Sequence, residues 1–201
     1  CEGYGCTETS PMVSVNNLDS ERKIDSVGKI MDDVIVKIID NEILVNGPNV
    51  MIGYWNNHET TKKALKMVDG KIFYRTGDSG YVDKDNFLYY TGRLSENYKL
   101  SNGKFVNVNE VENKIKKHTN HNFIIYGDNK DFNIIICEQE SDIDYNLLEK
   151  INSEIDSYLK IKKILLLEKN TFSKYLTPKM SIKRKLLIQN YQSEIDNFLN
   201  S

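Results

Sequence analysis

Four short stretches of this chain hold side chains whose types and spacing could do chemistry. Tyr4-Gly5-Cys6-Thr7-Glu8 puts a ring, a residue without Cβ, a hydroxyl and a carboxylate within five positions. The ring offers a flat apolar face. Gly5 lets backbone come close to a neighbour, Thr7 is a hydrogen-bonding hydroxyl, and Glu8 is a hard oxygen donor of the kind Mg²⁺ takes. Thr76-Gly77-Asp78 presents a carboxylate able to accept two hydroxyl protons at once. Arg93 supplies a planar fork of donors, and Lys99–Val106 forms a loop around Gly103. Lys183 stands among Lys179, Arg184 and Lys185. A mobile point charge there can stabilise charge that develops in a transition state. Each stretch alone also suits an ordinary role: a polar turn, a Gly-Asp turn, a lone surface arginine, or a solvated basic start of a helix.

The elements that must position these groups change character near residue 93. Residues 1–10 read as a loop leaving a strand. Val34–Ile39 and Glu42–Val45 are β-branched runs that predict strands, with Asp40-Asn41 as a two-residue turn. His58–Met67 predicts a short helix and Leu88–Tyr90 a further strand. The second part mixes periods. Val108, Val111 and Ile115 stand at helical spacing, as do Leu147, Leu148, Ile151, Ile155 and Leu159, and finally Leu187, Tyr191, Ile195 and Phe198. Between them, Phe123–Tyr126 and Phe132–Cys137 flank Gly127-Asp128-Asn129 as a hairpin, and Ile164–Leu167 is a short buried strand. The reading is a mixed α/β (α+β) chain, with a β-rich segment at 1–93 and a small α+β domain at 94–201.

Bulk properties narrow the function classes. The chain has 201 residues, 27 basic and 29 acidic, for a formal net charge of −2. That mixed balance gives no reason to expect nucleic-acid binding. Cys1, Cys6 and Cys137 are odd in number and lack metal-ligand spacing, which suits a reducing compartment better than a disulfide framework. No apolar run is long enough to span a bilayer. The chain begins Cys-Glu-Gly, so it is expected to start inside a fold.

Taken in order, the four stretches resemble motifs of the adenylate-forming superfamily, and most closely the C-terminal part of its long-chain fatty-acid–CoA ligases. Tyr4–Glu8 is similar to Y-G-x-T-E, and Thr76-Gly77-Asp78 to T-G-D. Gly92-Arg93 with Lys99-Leu100, Gly103, Val106 and Glu110-Val111-Glu112 resembles G-R-x-x-x-x-x-K-L-x-x-G-x-x-V followed by E-x-x-E. Leu176-Thr177-Pro178 with Lys183-Arg184 is similar to the L-T-P-x-x-x-x-K-R ending of the long-chain group. Gly53-Tyr54-Trp55-Asn56 looks like a further family segment, although Trp55 suits a core position equally. The resemblance implies the β-rich end of a large AMP-binding domain followed by a small mobile lid domain. It implies ATP, CoA and a fatty acid as substrates and Mg²⁺ as cofactor.

The implied roles follow residue by residue. Tyr4 lies against adenine, Gly5 approaches the nucleotide, Thr7 binds the α-phosphate and Glu8 binds Mg²⁺. Asp78 accepts the ribose hydroxyls, and Arg93 fixes ribose and phosphate. Lys183 serves adenylation, and the Gly103 loop serves thioester formation. The phosphate-binding loop and the acid tunnel are expected upstream, so the 201 residues alone are expected to be inactive. Ser95 stands where the family's hinge has Asp or Lys. An intracellular setting is expected, in the cytoplasm or on the cytoplasmic face of an internal membrane, with any membrane attachment carried by the upstream part. Two other readings stay open: adenylation for a different acid or acceptor, and a truncated binding module without catalysis.

Overall fold

The computed structural model describes residues 2–19, 21–178 and 180–200. Cys1 and Lys179, both named above, lie outside the described residues. The chain divides between Ser95 and Glu96 into two compact units.

The first unit is built almost entirely from antiparallel strands. Strands β1 (Gly3–Tyr4), β2 (Ser14–Val15) and β3 (Lys29–Ile30) form a small sheet. Strand β4 (Ile35–Ile39) turns into β5 (Glu42–Asn46) through Asp40 and Asn41, both at positive φ (52° and 64°). That is the mirror-image turn that matches strand twist, and Asp and Asn tolerate it better than other side chains. Helix α1 (His58–Ala64) starts at Asn57, whose side chain accepts the Thr60 N–H at 3.0 Å. The helix expected to reach Met67 instead stops at Ala64, and β6 (Leu65–Val68) follows. The reason is the next dipeptide. Asp69 and Gly70 (φ 48° and 75°) make a second tight turn, which pairs β6 with β7 (Lys71–Val82) from Val68 opposite Lys71 onward. Strand β8 (Leu88–Arg93) lies on the far half of β7, and the sheet order is β4-β5-β7-β6 with β8 on β7. Val13, Ile30, Ile43, Val45 and Leu88 form the core. Burial of each such side chain stabilises by about 1.5–3 kcal/mol. Trp55, weighed above as a core residue, is 92% exposed.

The second unit is a three-stranded sheet covered on both faces. After the hairpin β9 (Tyr98–Lys99) and β10 (Phe105–Val106) come α2 (Val108–Ile115), β11 (Phe123–Tyr126), β12 (Asn133–Glu138), α3 (Tyr145–Glu154), β13 (Ile161–Leu167), α4 (Arg184–Asn190) and α5 (Gln192–Asn200). Strand β11 pairs antiparallel with β12, and β13 pairs parallel with it through the α3 crossover. Strand residues alternate strictly between faces. Phe123, Ile125, Ile135, Cys137 and Ile161 pack with Val111, Ile115, Leu148 and Ile151 from α2 and α3. Ile124, Tyr126, Ile134, Ile136 and Leu165 pack with Phe172, Leu187 and Ile195 on the opposite face. Two-sided burial explains why these strands read as unbroken apolar runs rather than as alternating ones. Among the described residues, no helix is long and apolar enough to cross a membrane.

Candidate functional site

The first unit gathers Tyr4, Glu8, Asp78 and Arg93. Tyr4 ends β1, and its hydroxyl donates to Asp78 Oδ2 at 2.6 Å, while its ring lies beside Tyr90. The chain then turns sharply: a Cβ on Gly5 would stand 1.5 Å from the Pro11 carbonyl oxygen. The sequence reading gave Gly5 to a nucleotide, but the structure already needs glycine there for its own backbone. The turn is held by Thr9, which is fully buried. Its hydroxyl accepts from the Cys6 N–H at 3.0 Å and lies 3.1 Å from the Cys6 carbonyl. This short turn, Thr7–Thr9, leaves Thr7 exposed and Glu8 half-buried.

Glu8 is positioned by the loop that leads into Gly53-Tyr54-Trp55-Asn56. Tyr54 donates its hydroxyl to Glu8 Oε1 at 2.8 Å, and the Met51 N–H donates to the Glu8 carbonyl at 2.9 Å. Asn49 ties the same loop to the carbonyls of Thr9 and Met12, at 3.1 and 2.7 Å. The Tyr54 hydrogen bond is the main reason the Glu8 carboxyl sits below its usual pKa, with the charge of Arg93 adding to it. Glu8 is therefore an ionised, accessible oxygen donor.

Asp78 lies within β7 rather than in the Gly-Asp turn that its sequence suggests. Gly77 takes φ 70°, a left-handed value that a side chain would resist, and this re-aims the strand. Two neighbours hold the bend. Thr76 donates its hydroxyl to the Ile43 carbonyl at 2.8 Å and accepts the Asp78 N–H at 3.1 Å. The buried Glu42 carboxylate accepts the Gly77 N–H at 3.1 Å and two Arg75 donors at 3.0 and 2.8 Å. Glu42 did not stand out in the sequence, because a lone Glu at a strand start carries no distinguishing pattern, and Thr76 stood out only as the first residue of Thr-Gly-Asp, not for the bend it holds.

The Asp78 side chain is 9% exposed. Burial raises its pKa, opposed by the Tyr4 hydrogen bond and by Arg93. Arg93 Nη1 stands 2.8 Å from Asp78 Oδ1 as an ion pair, yet Oδ1 has no aligned hydrogen bond. Charge attraction tolerates poor alignment, whereas a hydrogen bond does not. One oxygen of a buried carboxylate thus accepts from Tyr4, and the other, paired with Arg93, retains capacity to accept a hydroxyl proton. Burial also pushes the Tyr4 phenol far above its ordinary pKa, so it remains a donor at any physiological pH.

The second unit carries Gly103 and Lys183. Gly103 sits at φ 80° at the tip of the β9–β10 hairpin, with open space where a Cβ would go, and its N–H donates to the Leu100 carbonyl at 2.9 Å. The hairpin is tied down by the segment before β12. The Ser101 N–H donates to the Lys130 carbonyl at 2.9 Å, and the Ser101 hydroxyl donates to Asp131 at 2.6 Å. Beneath, the Tyr98 hydroxyl donates at 2.7 Å to Asn133 Oδ1, whose amide donates to the Leu159 carbonyl at 2.9 Å.

Lys183 is exposed and immediately precedes α4. It follows a tight loop in which the Thr177 N–H donates to the Ser181 carbonyl at 2.8 Å. Its own N–H donates to the Tyr175 carbonyl at 2.7 Å, and its carbonyl accepts the Leu187 N–H at 3.1 Å. The solvated basic helix start weighed above does not hold for Arg184. Its guanidinium is 11% exposed and pairs with Glu112, which is 7% exposed.

Among the described residues, no group of three or more His, Cys, Asp or Glu side chains could hold a metal by itself. Glu8 alone does fit Mg²⁺ in the form this ion often takes, one carboxylate shared with substrate phosphates.

Comparison with known proteins identifies the family. The AMP-binding enzyme family model matches residues 1–55, and the AMP-binding enzyme C-terminal domain model matches residues 96–201. A long-chain-fatty-acid–CoA ligase of Mycobacterium bovis is 30% identical over 231 aligned positions, covering 99% of this chain and 38% of the relative. A 2-succinylbenzoate–CoA ligase of Enterococcus faecalis is 36% identical over 130 positions, covering 59% of this chain and 26% of the relative. The chain thus spans well under half the length of these curated relatives. In fold, ATP-bound MatB from Rhodopseudomonas palustris superposes with a TM-score of 0.74 at 22% identity, over 94% of this chain and 40% of that one. The O-succinylbenzoate coenzyme A synthetase of Bacillus subtilis in complex with AMP gives 0.72 at 24% identity, over 92% and 40%. With its whole second unit matched to the C-terminal domain of AMP-binding enzymes, this chain belongs to the adenylate-forming superfamily.

Proposed function

We propose that the full-length protein containing this chain is an AMP-forming ligase that joins a long-chain fatty acid to CoA. The observation that carries the nucleotide part is Asp78: a buried carboxylate with one oxygen held by Tyr4 and the other lacking an aligned partner. Ribose hydroxyls are the chemistry such a group accepts. Arg93, already paired to Asp78, would face ribose and phosphate together. Thr7 would donate to the α-phosphate and Tyr4 would flank adenine. Glu8 would hold Mg²⁺, which when bound neutralises phosphate charge.

The reaction has two halves. A carboxylate oxygen of the acid attacks the α-phosphorus of ATP, the bond to the β-phosphate oxygen breaks, and pyrophosphate leaves. The CoA thiol, giving up its proton, then attacks the acyl carbonyl; the bond from that carbon to the AMP oxygen breaks and AMP leaves. Lys183 serves the first half, where its ammonium offsets charge building on the acid and α-phosphate oxygens. The Gly103 hairpin serves the second. Rotation of the second unit near Ser95 would exchange the two.

The long-chain assignment rests on Leu176-Thr177-Pro178 with Lys183-Arg184, and on the Mycobacterium bovis relative, which aligns with this chain from end to end. The Enterococcus faecalis relative aligns over a shorter stretch at higher identity and supports a small aromatic acid as the second reading. AMP release by the full-length protein, with ATP, Mg²⁺, CoA and acids from acetate through palmitate to 2-succinylbenzoate, separates the two. Release that requires both a long-chain acid and CoA is the expected result. Release with aromatic or short acids alone would discard the long-chain assignment, and none from a folded protein would discard the ligase reading.

A further inference from the structure

We propose that Glu112 is a positioning residue for Lys183, acting through Arg184; the proposal rests on the adenylation role given to Lys183 above. The starting point is the outer edge of β11. This strand has a partner on one side only, so the backbone groups of Ile125 that face away from β12 need partners elsewhere. Side chains provide them. Glu112 Oε1 accepts the Ile125 N–H at 3.0 Å, and Arg184 Nη1 donates to the Ile125 carbonyl at 2.9 Å. The same Glu112 oxygen accepts a second proton from Arg184 Nη2. Three groups thus close a ring around the backbone of one residue.

The ring joins elements from opposite sides of the sheet. Glu112 belongs to α2, which packs on one face, and Arg184 opens α4, whose Leu187 packs on the other. The ion pair wraps the sheet edge and fixes where α4 begins. Lys183 is the residue immediately before. Its backbone is pinned on the other side by the Tyr175 carbonyl, whereas its own side chain is exposed. A flexible cation is therefore mounted on an immobilised Cα.

That division of labour makes a kinetic prediction which a purely structural role does not. A lysine that must meet a carboxylate and a phosphate loses effectiveness steeply with small displacements, on the order of 100-fold for 1 Å. The Gly103 hairpin is held by the Ser101–Asp131 and Tyr98–Asn133 hydrogen bonds, which do not pass through Glu112 or Arg184; Tyr98 lies near enough to that pair to feel both charges, but its hydroxyl is held by Asn133. Loosening the Glu112 ring should therefore harm one half-reaction and spare the other.

The test uses the full-length protein and two variants, Glu112→Gln and Arg184→Lys, with Lys183→Ala as reference. Adenylation is read as pyrophosphate release from ATP and acid, and thioester formation as CoA ester made from supplied acyl-AMP. Both positioning variants are expected to lose adenylation by about 10- to 100-fold, with thioester formation retained within about threefold. Arg184→Lys keeps the charge pair and guards against a Glu112→Gln protein that does not fold. Equal loss in both half-reactions, tracking the folded fraction, would overturn the proposal and leave Glu112 as a stability residue. No loss in either variant, with adenylation abolished in Lys183→Ala, would overturn the positioning role alone. Full adenylation in Lys183→Ala would overturn the reading of Lys183 and this proposal with it.

Discussion

Removing the Tyr4 hydroxyl isolates the interaction on which the proposed nucleotide site depends. In Tyr4→Phe the ring stays and the 2.6 Å bond to Asp78 Oδ2 is lost. The acceptor belongs to a side chain only 9% exposed, so water does not simply replace the phenol. Hydrogen bonds to charged groups contribute about 1.5–3 kcal/mol, and leaving the buried partner unpaired puts the cost at the upper end of that range. Arg93 tempers it by pairing with the other oxygen, which points to about 2 kcal/mol. The penalty has a defined pH dependence. Burial already raises the Asp78 pKa, and the Tyr4 hydrogen bond opposes that rise. Without Tyr4 the folded-state pKa climbs further above the unfolded value. A group with a raised folded pKa contributes stability below its unfolded pKa and loses it as pH rises through the folded one. Tyr4→Phe should therefore be most destabilising at neutral pH and approach wild-type stability where carboxylates protonate. Asp78→Asn, which removes the buried charge but keeps an acceptor for Tyr4, should show the opposite trend: its gain appears at neutral pH and fades in acid. Hydrogen exchange of peptides from 71–93 in the full-length protein reads the relevant strands locally, whereas Trp55 is too exposed to report on them. A Tyr4→Phe penalty under about 0.5 kcal/mol, or one that grows in acid, would refute the reasoning.

Other substitutions follow from the same geometry. Gly5→Ala must push the Pro11 backbone aside, at a cost of about 1–3 kcal/mol or more, whereas Gly103→Ala meets open space and pays only left-handed strain of about 1–2 kcal/mol; urea unfolding with exchange read separately in each unit checks the ranking. Tyr98→Phe leaves Asn133 Oδ1 unpaired beneath the hairpin, and is expected to slow thioester formation from supplied acyl-AMP more than pyrophosphate release. Lys183→Ala should do the reverse, with adenylation lost far more than the thioester step. Tyr54→Phe removes the main influence lowering the Glu8 pKa, so the acid limb of the pH–rate profile should move to higher pH with little change in the plateau.

How much of this was legible beforehand depended on whether a residue's role was local. Strands β4 and β5 were readable because β-branched runs flank Asp40-Asn41, and the apolar runs of β11 and β12 because their sheet is buried on both faces. Strand β7 was not. Thr76-Gly77-Asp78-Ser79-Gly80 is polar and glycine-rich, with no strand propensity to detect. It is extended because β5 and β8 hold it on either side, with register irregularities near Glu42 and Ser79 that free Asp78 to turn. Leu65–Val68 continued a helical pattern, yet the Asp69-Gly70 turn decided for a strand. Arg184 read as one more solvated cation, since nothing in a run of basic residues marks the one that reaches a glutamate 72 positions away. Glu42 and Asn133 were missed, and the hold of Tyr54 on Glu8 went unread, for the same reason: each acts through a partner remote in sequence.

The sealed edge of β11 has a consequence for solubility. Phe-Ile-Ile-Tyr is a short, uncharged, strongly β-prone segment of the kind that recruits identical copies into stacked assemblies when its backbone is bare. Here Glu112 and Arg184 occupy the hydrogen-bonding positions of Ile125 that a second chain would need. They act as gatekeepers supplied by the fold rather than by flanking residues. Truncation of either to alanine, unlike the Glu112→Gln and Arg184→Lys changes that keep an acceptor and a donor there, would bare these positions, so aggregation on expression is the failure that such truncations should show first.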